Sequence, residues 1–191
     1  MRNVLISASL AACLLACNSQ TTENENEQMN ETEMIVADTH SAVAVIGDKN
    51  GSGISGTVTF SQTDNYVTME ANIMGLSEGE HAIHIHEKGD CSSPDGKSAG
   101  GHWNPTNSEH GEWGSEAFHI GDIGNLKATG DSVTVFTRDT DLWCIGCGDE
   151  EKDILGKAII IHSGADDFTS QPSGAAGERI GCGEIIESEV M

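Results

Sequence analysis

The chain has 191 residues, 9 Lys and Arg against 31 Asp and Glu, and a formal net charge of −22. That length allows one domain with a real core, plus extensions. The charge speaks against nucleic acid as a partner and against electrostatic adhesion to anionic lipid, because both present phosphates to a strongly negative surface.

The first element lies outside the domain. Arg2 precedes the apolar run Val4 to Leu15, too short to span a membrane and stay, so residues 1–16 read as a signal peptide. The run ends in Leu14-Leu15-Ala16-Cys17, which resembles the lipobox of bacterial lipoproteins and marks Cys17 for lipidation. Residues 17–40 carry Glu23, Glu25, Glu27, Glu31, Glu33 and Asp38, with no Lys or Arg. Such a segment cannot bury enough surface to order itself, and it reads as an acidic flexible tether. Arg2 is the only basic residue before the domain and six acidic residues lie in the tether, which leaves residues 41–191 near −17. Membrane attachment would then come through the lipid. Asn18, by resemblance, points to the outer membrane, on its periplasmic or its surface face.

Cys13 leaves with the leader, so the domain keeps Cys91, Cys144, Cys147 and Cys182. An even set in an exported chain reads as disulfides, although pairing does not follow from spacing. Cys144-Ile-Gly-Cys147 lacks the following helix of a thioredoxin-type motif, and a small structural disulfide is expected there against free thiols or a further metal site.

Alternation begins with Ala42–Ile46 and continues through Ile54–Phe60 and Tyr66–Ile73. His81-Ala-Ile-His84-Ile-His86 follows, three of eight histidines within six residues, with Ile83 and Ile85 alternating against His84 and His86. As a strand it turns the isoleucines to a core and both imidazoles to the other face. A pair of solvated histidines would explain this stretch taken alone; two neutral imidazoles side by side also suit copper or zinc. Later runs are Ser132–Thr137, Lys157–His162 and Glu184–Ile186. No stretch has a helical period, so the expected fold is all-β, an antiparallel Greek-key sandwich or flattened barrel of about eight strands. Cys91 to about Ile120 and Gly164 to Gly181 fit no strand, and loops that long are usually functional.

The first of these loops contains Gly100-Gly-His102-Trp-Asn-Pro105, His110-Gly111 and His119-Ile-Gly-Asp122. Three histidines and an aspartate over 21 residues make a tetrahedral zinc set that would hold an irregular loop. His162 ends a strand ahead of Asp166-Asp167, and Gly177-Glu-Arg179-Ile-Gly-Cys182-Gly183 follows. Seven unrelated histidines would not collect around two loops and two strand ends.

These motifs, in this order, resemble the copper/zinc superoxide dismutases over roughly Ala42 to Ile186. The resemblance implies copper on His84, His86, His102 and His162, and zinc on His102, His110, His119 and Asp122, with His102 bridging both as an imidazolate. It assigns Asp166 to hydrogen bonds with a ligand of each metal, Arg179 to reception of the anionic substrate, His81 to a structural role beneath the copper, and Cys91 with Cys182 to a disulfide. The implied activity is dismutation of superoxide to oxygen and hydrogen peroxide, in which copper cycles between oxidation states while zinc holds geometry. The sandwich fold is itself associated with this family. The departures are a short Phe168–Ser173 stretch and no Lys or Arg from His162 to Glu178, which leaves Arg179 as the main positive side chain at the channel mouth. The animal dimer contact does not carry over, because bacterial relatives associate differently or remain monomeric, and a homodimer stays open. A non-enzymatic copper- and zinc-binding envelope lipoprotein is the alternative, and it leaves the presence of every ligand and of Arg179 without a purpose.

Overall fold

The computed structural model of the protein describes residues 39–189, residue 131 excepted. The signal peptide, Cys17 and nearly all of the tether lie outside the described residues.

Among the described residues eight strands run β1 Thr39–Asp48, β2 Ser55–Thr63, β3 Tyr66–Met74, β4 Gly79–His86, β5 Asp122–Ala128, β6 Thr134–Thr140, β7 Ala158–His162 and β8 Arg179–Ser188. All pairings are antiparallel, in the order β5-β4-β7-β8-β1-β2-β3-β6. The expected all-β fold is what the chain adopts. β3 jumps to β6 and β4 to β7, so the path is a Greek key rather than a simple meander. β5 and β6 stand at opposite ends of this order, yet Arg138 on β6 donates from Nη2 to the Ile123 carbonyl on β5 at 2.6 Å. Its guanidinium also lies 5.0 Å from the centre of the Trp113 ring. One side chain thus links the two ends of the barrel.

The strands differ in how many faces they bury. β2 and β3 alternate buried and exposed residues, as a sheet with one wet face should. β7 is buried throughout and β4 is buried from His81 to His86. Their inner face carries Ile83, Ile85, Ile159 and Ile161, all fully buried, and each contributes roughly 1.5–3 kcal/mol of burial. The register sets Ile83 opposite Ile161 and Ile85 opposite Ile159. The outer face carries His84, His86, Ala158 and Ile160, and the segment between β4 and β5 closes over it. There Ala99, Ala158, Ile160 and Cys182 form a second small apolar cluster.

Among the described residues two disulfides are present, Cys91–Cys182 and Cys144–Cys147. The first ties the β4–β5 segment to β8, and the second closes a turn between β6 and β7. β5 is absent from the sequence reading, because Gly124 and Asn125 interrupt a strand whose buried apolar residues are only Ile123, Leu126 and Ala128. β8 begins at Arg179, five residues before the run expected at Glu184, and so takes in the end of the second long segment. Gly181 and Gly183 mask its pattern.

Candidate metal centre

His84 and His86 come from β4 and His162 from the end of β7, strands that pair directly. His102 reaches them from the loop: an antiparallel bridge sets it against His86, and the Trp103 N–H donates to the Ile85 carbonyl at 2.9 Å. Gly121 lies between them. A Cβ there would overlap the Ile85 carbonyl oxygen, so only glycine lets the loop come this close. Register shifts at Ile83/His84 and Ile161/His162 locally re-aim both strands.

Two four-residue groups result, His84, His86, His102 and His162, and His102, His110, His119 and Asp122. In each group one ligand atom per residue lies within 4.8 Å of all the others. His102 belongs to both. The ring nitrogens show what the groups are for. His84 Nδ1, His86 Nε2, His102 Nε2 and His162 Nε2 are buried and have no hydrogen-bond partner. The second nitrogen of each ring is held: His84 Nε2 by Asp166 Oδ2 at 2.8 Å, His86 Nδ1 by the Gly100 carbonyl at 3.0 Å, His102 Nδ1 by Asp122 Oδ1 at 2.8 Å, and His162 Nδ1 by the Gly177 carbonyl at 3.4 Å. Four buried nitrogens left unpaired on one spot would cost several kcal/mol in a finished interior. A soft-to-borderline cation removes that cost, and four imidazoles fit copper.

Charge agrees with this. Burial holds His86 well below its ordinary value, His102 at about 4 and His162 at about 3, so these rings are neutral at neutral pH. Neutral imidazole is the form a metal requires. The neighbouring group is the opposite. Burial disfavours charge on His110, yet Asp122 and Asp166 outweigh it and raise this ring to about 9. Its Nδ1 lies 2.9 Å from Asp122 Oδ2 but off the line of a hydrogen bond, and so stays unpaired. Burial likewise opposes ionisation of Asp122, but His102, His110, His119 and the His119 N–H hold it far below the usual carboxylate range. The pocket demands positive charge, and three imidazoles with one carboxylate fit zinc.

Asp166 joins the two groups. Its Oδ2 meets His84 and its Oδ1 meets His110 Nε2 at 2.8 Å, so one carboxylate orients a ring on each side. His81 is elsewhere: its Nδ1 pairs with the His162 carbonyl at 2.9 Å, beneath the site. Arg179 is half-buried, donating from Nη1 to the Gly96 carbonyl at 2.8 Å and from Nη2 to the Gly100 carbonyl at 2.7 Å. With His86, His102, His119 and His162 it lines a cavity of about 520 Å³. Among the described residues lining that cavity Arg179 is the only Lys or Arg and Glu109 the only carboxylate. Glu109 and Gln171, which also lines it, had no signal in the sequence, because an isolated Glu or Gln in a polar loop has no pattern to stand out from.

Comparison with known proteins adds a family. A family model described as copper/zinc superoxide dismutase matches residues 54–185. A [Cu-Zn] superoxide dismutase of Dictyostelium discoideum is 36% identical over 159 residues, 78% of this chain and 99% of its own length. An extracellular [Cu-Zn] superoxide dismutase of Brugia pahangi is 34% identical over 163 residues, 80% of this chain and 79% of its own. A [Cu-Zn] superoxide dismutase of Caulobacter vibrioides is 36% identical over 149 residues, 76% and 85%. The matched residues 54–185 take in both long segments and β2 to β7 with most of β8, and the chain belongs to the copper/zinc superoxide dismutase family.

Proposed function

We propose that the protein converts two superoxide anions and two protons into oxygen and hydrogen peroxide at the cavity lined by Arg179 and the histidines. His84, His86, His102 and His162 hold copper, and His102, His110, His119 and Asp122 hold zinc. Copper supplies the one-electron redox chemistry and zinc a fixed positive centre. The observation that carries this reading is the set of buried, unpartnered ring nitrogens on His84, His86, His102 and His162, four residues whose ligand atoms lie within 4.8 Å of one another.

The residues of the chain supply the rest. Arg179 is aimed by the Gly96 and Gly100 carbonyls and keeps its charge at any working pH, so it receives the anion and orients it toward the histidine cluster. When not bound to the metal, His102 Nε2 would carry one proton for the peroxide product, the second coming from solvent. Its Nδ1 side stays engaged near Asp122, which keeps the ring aimed while Nε2 changes state. Asp166 fixes His84 and His110, so the rings on either side of His102 do not turn with it.

The absence of basic residues in the segment 163–178 puts an unusual share of substrate guidance on Arg179. Arg179→Ile is expected to keep both metals and lose about tenfold or more in rate, equal to at least ~1.4 kcal/mol of barrier. Metal content and a superoxide-consumption assay on the same sample check this. Full activity in that variant, or metal-loaded wild type with no activity, sinks the reading. We further place the enzyme in the cell envelope, exported and held by lipid at Cys17. The two disulfides fit an oxidising compartment, and Cys17→Ala should release an active soluble enzyme.

A further inference from the structure

The stretch 167–174 is short, without basic residues, and has no role in the chemistry above. Its geometry is nonetheless closely determined. The Asp167 carboxylate accepts the N–H groups of Thr169 and Ser170 at 2.9 and 2.8 Å and the Ser170 hydroxyl at 2.6 Å. Asp167 N–H donates to the Gly174 carbonyl at 2.9 Å, and Gly174 N–H to the Ser170 carbonyl at 2.7 Å. A compact turn follows, and it presents the Gln171 side chain to the loop that carries His110.

There the Gln171 amide does what a neighbouring strand would do. Its Oε1 accepts the His110 N–H at 2.9 Å and its Nε2 donates to the His110 carbonyl at 2.9 Å. Both main-chain polar groups of one zinc-side residue are satisfied by one side chain. Asp166, immediately before this stretch, holds the His110 ring through its Oδ1. Gly174 makes room for this: a Cβ on it would strike Asp166 Oδ1 and His110 Nε2. His110 is therefore gripped at ring and backbone by residues 166–174, and Gln171, Pro172 and Ser173 also line the cavity that contains Arg179.

We propose that Gln171 is a positioning residue that couples the zinc-side loop to the wall of the substrate channel. Through it, retention of zinc on His110 depends on the channel wall being in place, and the channel wall is ordered when His110 is held. The inference rests on the assignment of His110 as a zinc ligand. It is distinct from the role of Asp166, which acts on the ring, because Gln171 acts on the backbone alone.

The test uses the purified enzyme loaded with both metals, in wild-type form and as Gln171→Met and Gln171→Glu. Zinc release to a chromogenic chelator is followed beside the visible absorption of the copper site. Gln171→Met has a similar length and no hydrogen bond, and is expected to release zinc about tenfold faster while copper release keeps the wild-type rate. Gln171→Glu keeps an acceptor for the His110 N–H and loses the donor, so its zinc release should fall between the two. Amide hydrogen exchange at His110 should rise in the same order. Should the methionine variant misfold, the polar glutamate variant carries the comparison by itself. Zinc release at the wild-type rate in both variants, or zinc and copper release accelerating alike, overturns the coupling. Retention of zinc at wild-type affinity in His110→Ala overturns the ligand assignment on which it rests.

Discussion

The two halves of the metal centre are built differently. On one side His84, His86 and His162 stand on β4 and β7, strands locked in register above four buried isoleucines. On the other, His110 and His119 sit in a loop with no ladder of its own, held by Asp122, Asp166 and Gln171. Strand-borne ligands receive their positions from the hydrophobic core. Loop-borne residues receive theirs from a few polar contacts, and on the proposed assignment a cation would add to these, so that metal binding and local folding there would be coupled. On the proposed assignment the copper half would be preformed by the strands, and the zinc half would gain further order from its ion.

His102 stands on the boundary, and its removal tests the comparison most severely. His102→Ala should leave a folded barrel, because β4 and β7 do not depend on it. Activity should fall by at least ~100-fold and zinc affinity with it. Circular dichroism, metal analysis and the superoxide assay check this together, and full activity with both metals present would exclude a shared role. Asp166→Ala comes next. Without its carboxylate the His84 ring keeps its strand while the His110 ring loses one of its few anchors, so zinc affinity should drop by ~10–100-fold and copper affinity by less. Equal losses measured by competition with chelators would show that the halves are not built differently after all.

The disulfides offer a gentler version of the same contrast. Cys91–Cys182 closes a separation of 91 residues and ties the loop to β8, worth between about 4 and 5 kcal/mol in the chain-entropy account. Cys144–Cys147 spans only three residues and is worth about 2 kcal/mol or less on the same account. Its turn is also held by Asp153, which accepts the N–H groups of Gly146 and Gly148. The Cys144→Ser, Cys147→Ser double variant should melt a few degrees lower with unchanged activity and metal content. A loss of zinc in that variant would connect this turn to the site.

The most gradual effect is that of pH on the metal-free protein. His86, His102 and His162 are depressed in the fold mainly by burial, to about 4 for His102 and about 3 for His162. Between an unfolded value of about 6.5 and those values the unfolded chain binds more protons, so stability falls as pH drops through that window. His110, raised to about 9 by its carboxylates, acts in the opposite sense, and its contribution is lost as pH rises through 9. Denaturant melts of the metal-free protein from pH 4 to 9 should show a maximum near the middle of that range. A flat profile would mean that the rings are not buried neutral.

The sequence by itself determined the strand-borne half almost completely. Two-residue alternation in His84-Ile85-His86 states both the strand and the face of each ring, because burial of the isoleucines leaves the histidines no other side. It also yielded the all-β architecture, since short alternating runs between glycine-rich turns leave few other solutions. The loop-borne residues were legible only through motif order: His110 and His119 have no periodicity, and nothing local ties them to His84. β5 and the first half of β8 were hidden because glycines replace the apolar residues that carry a strand pattern. Gln171 and Glu109 belong to the tertiary structure alone, whereas the paired bonds of Asp166 were legible only through the family resemblance. Their roles arise from groups distant in the chain meeting across the site, as with Gln171 and His110, 61 residues apart. Hydrophobic periodicity is a local code that the chain carries in every strand, whereas a polar contact between two loops exists only once the core has brought them together.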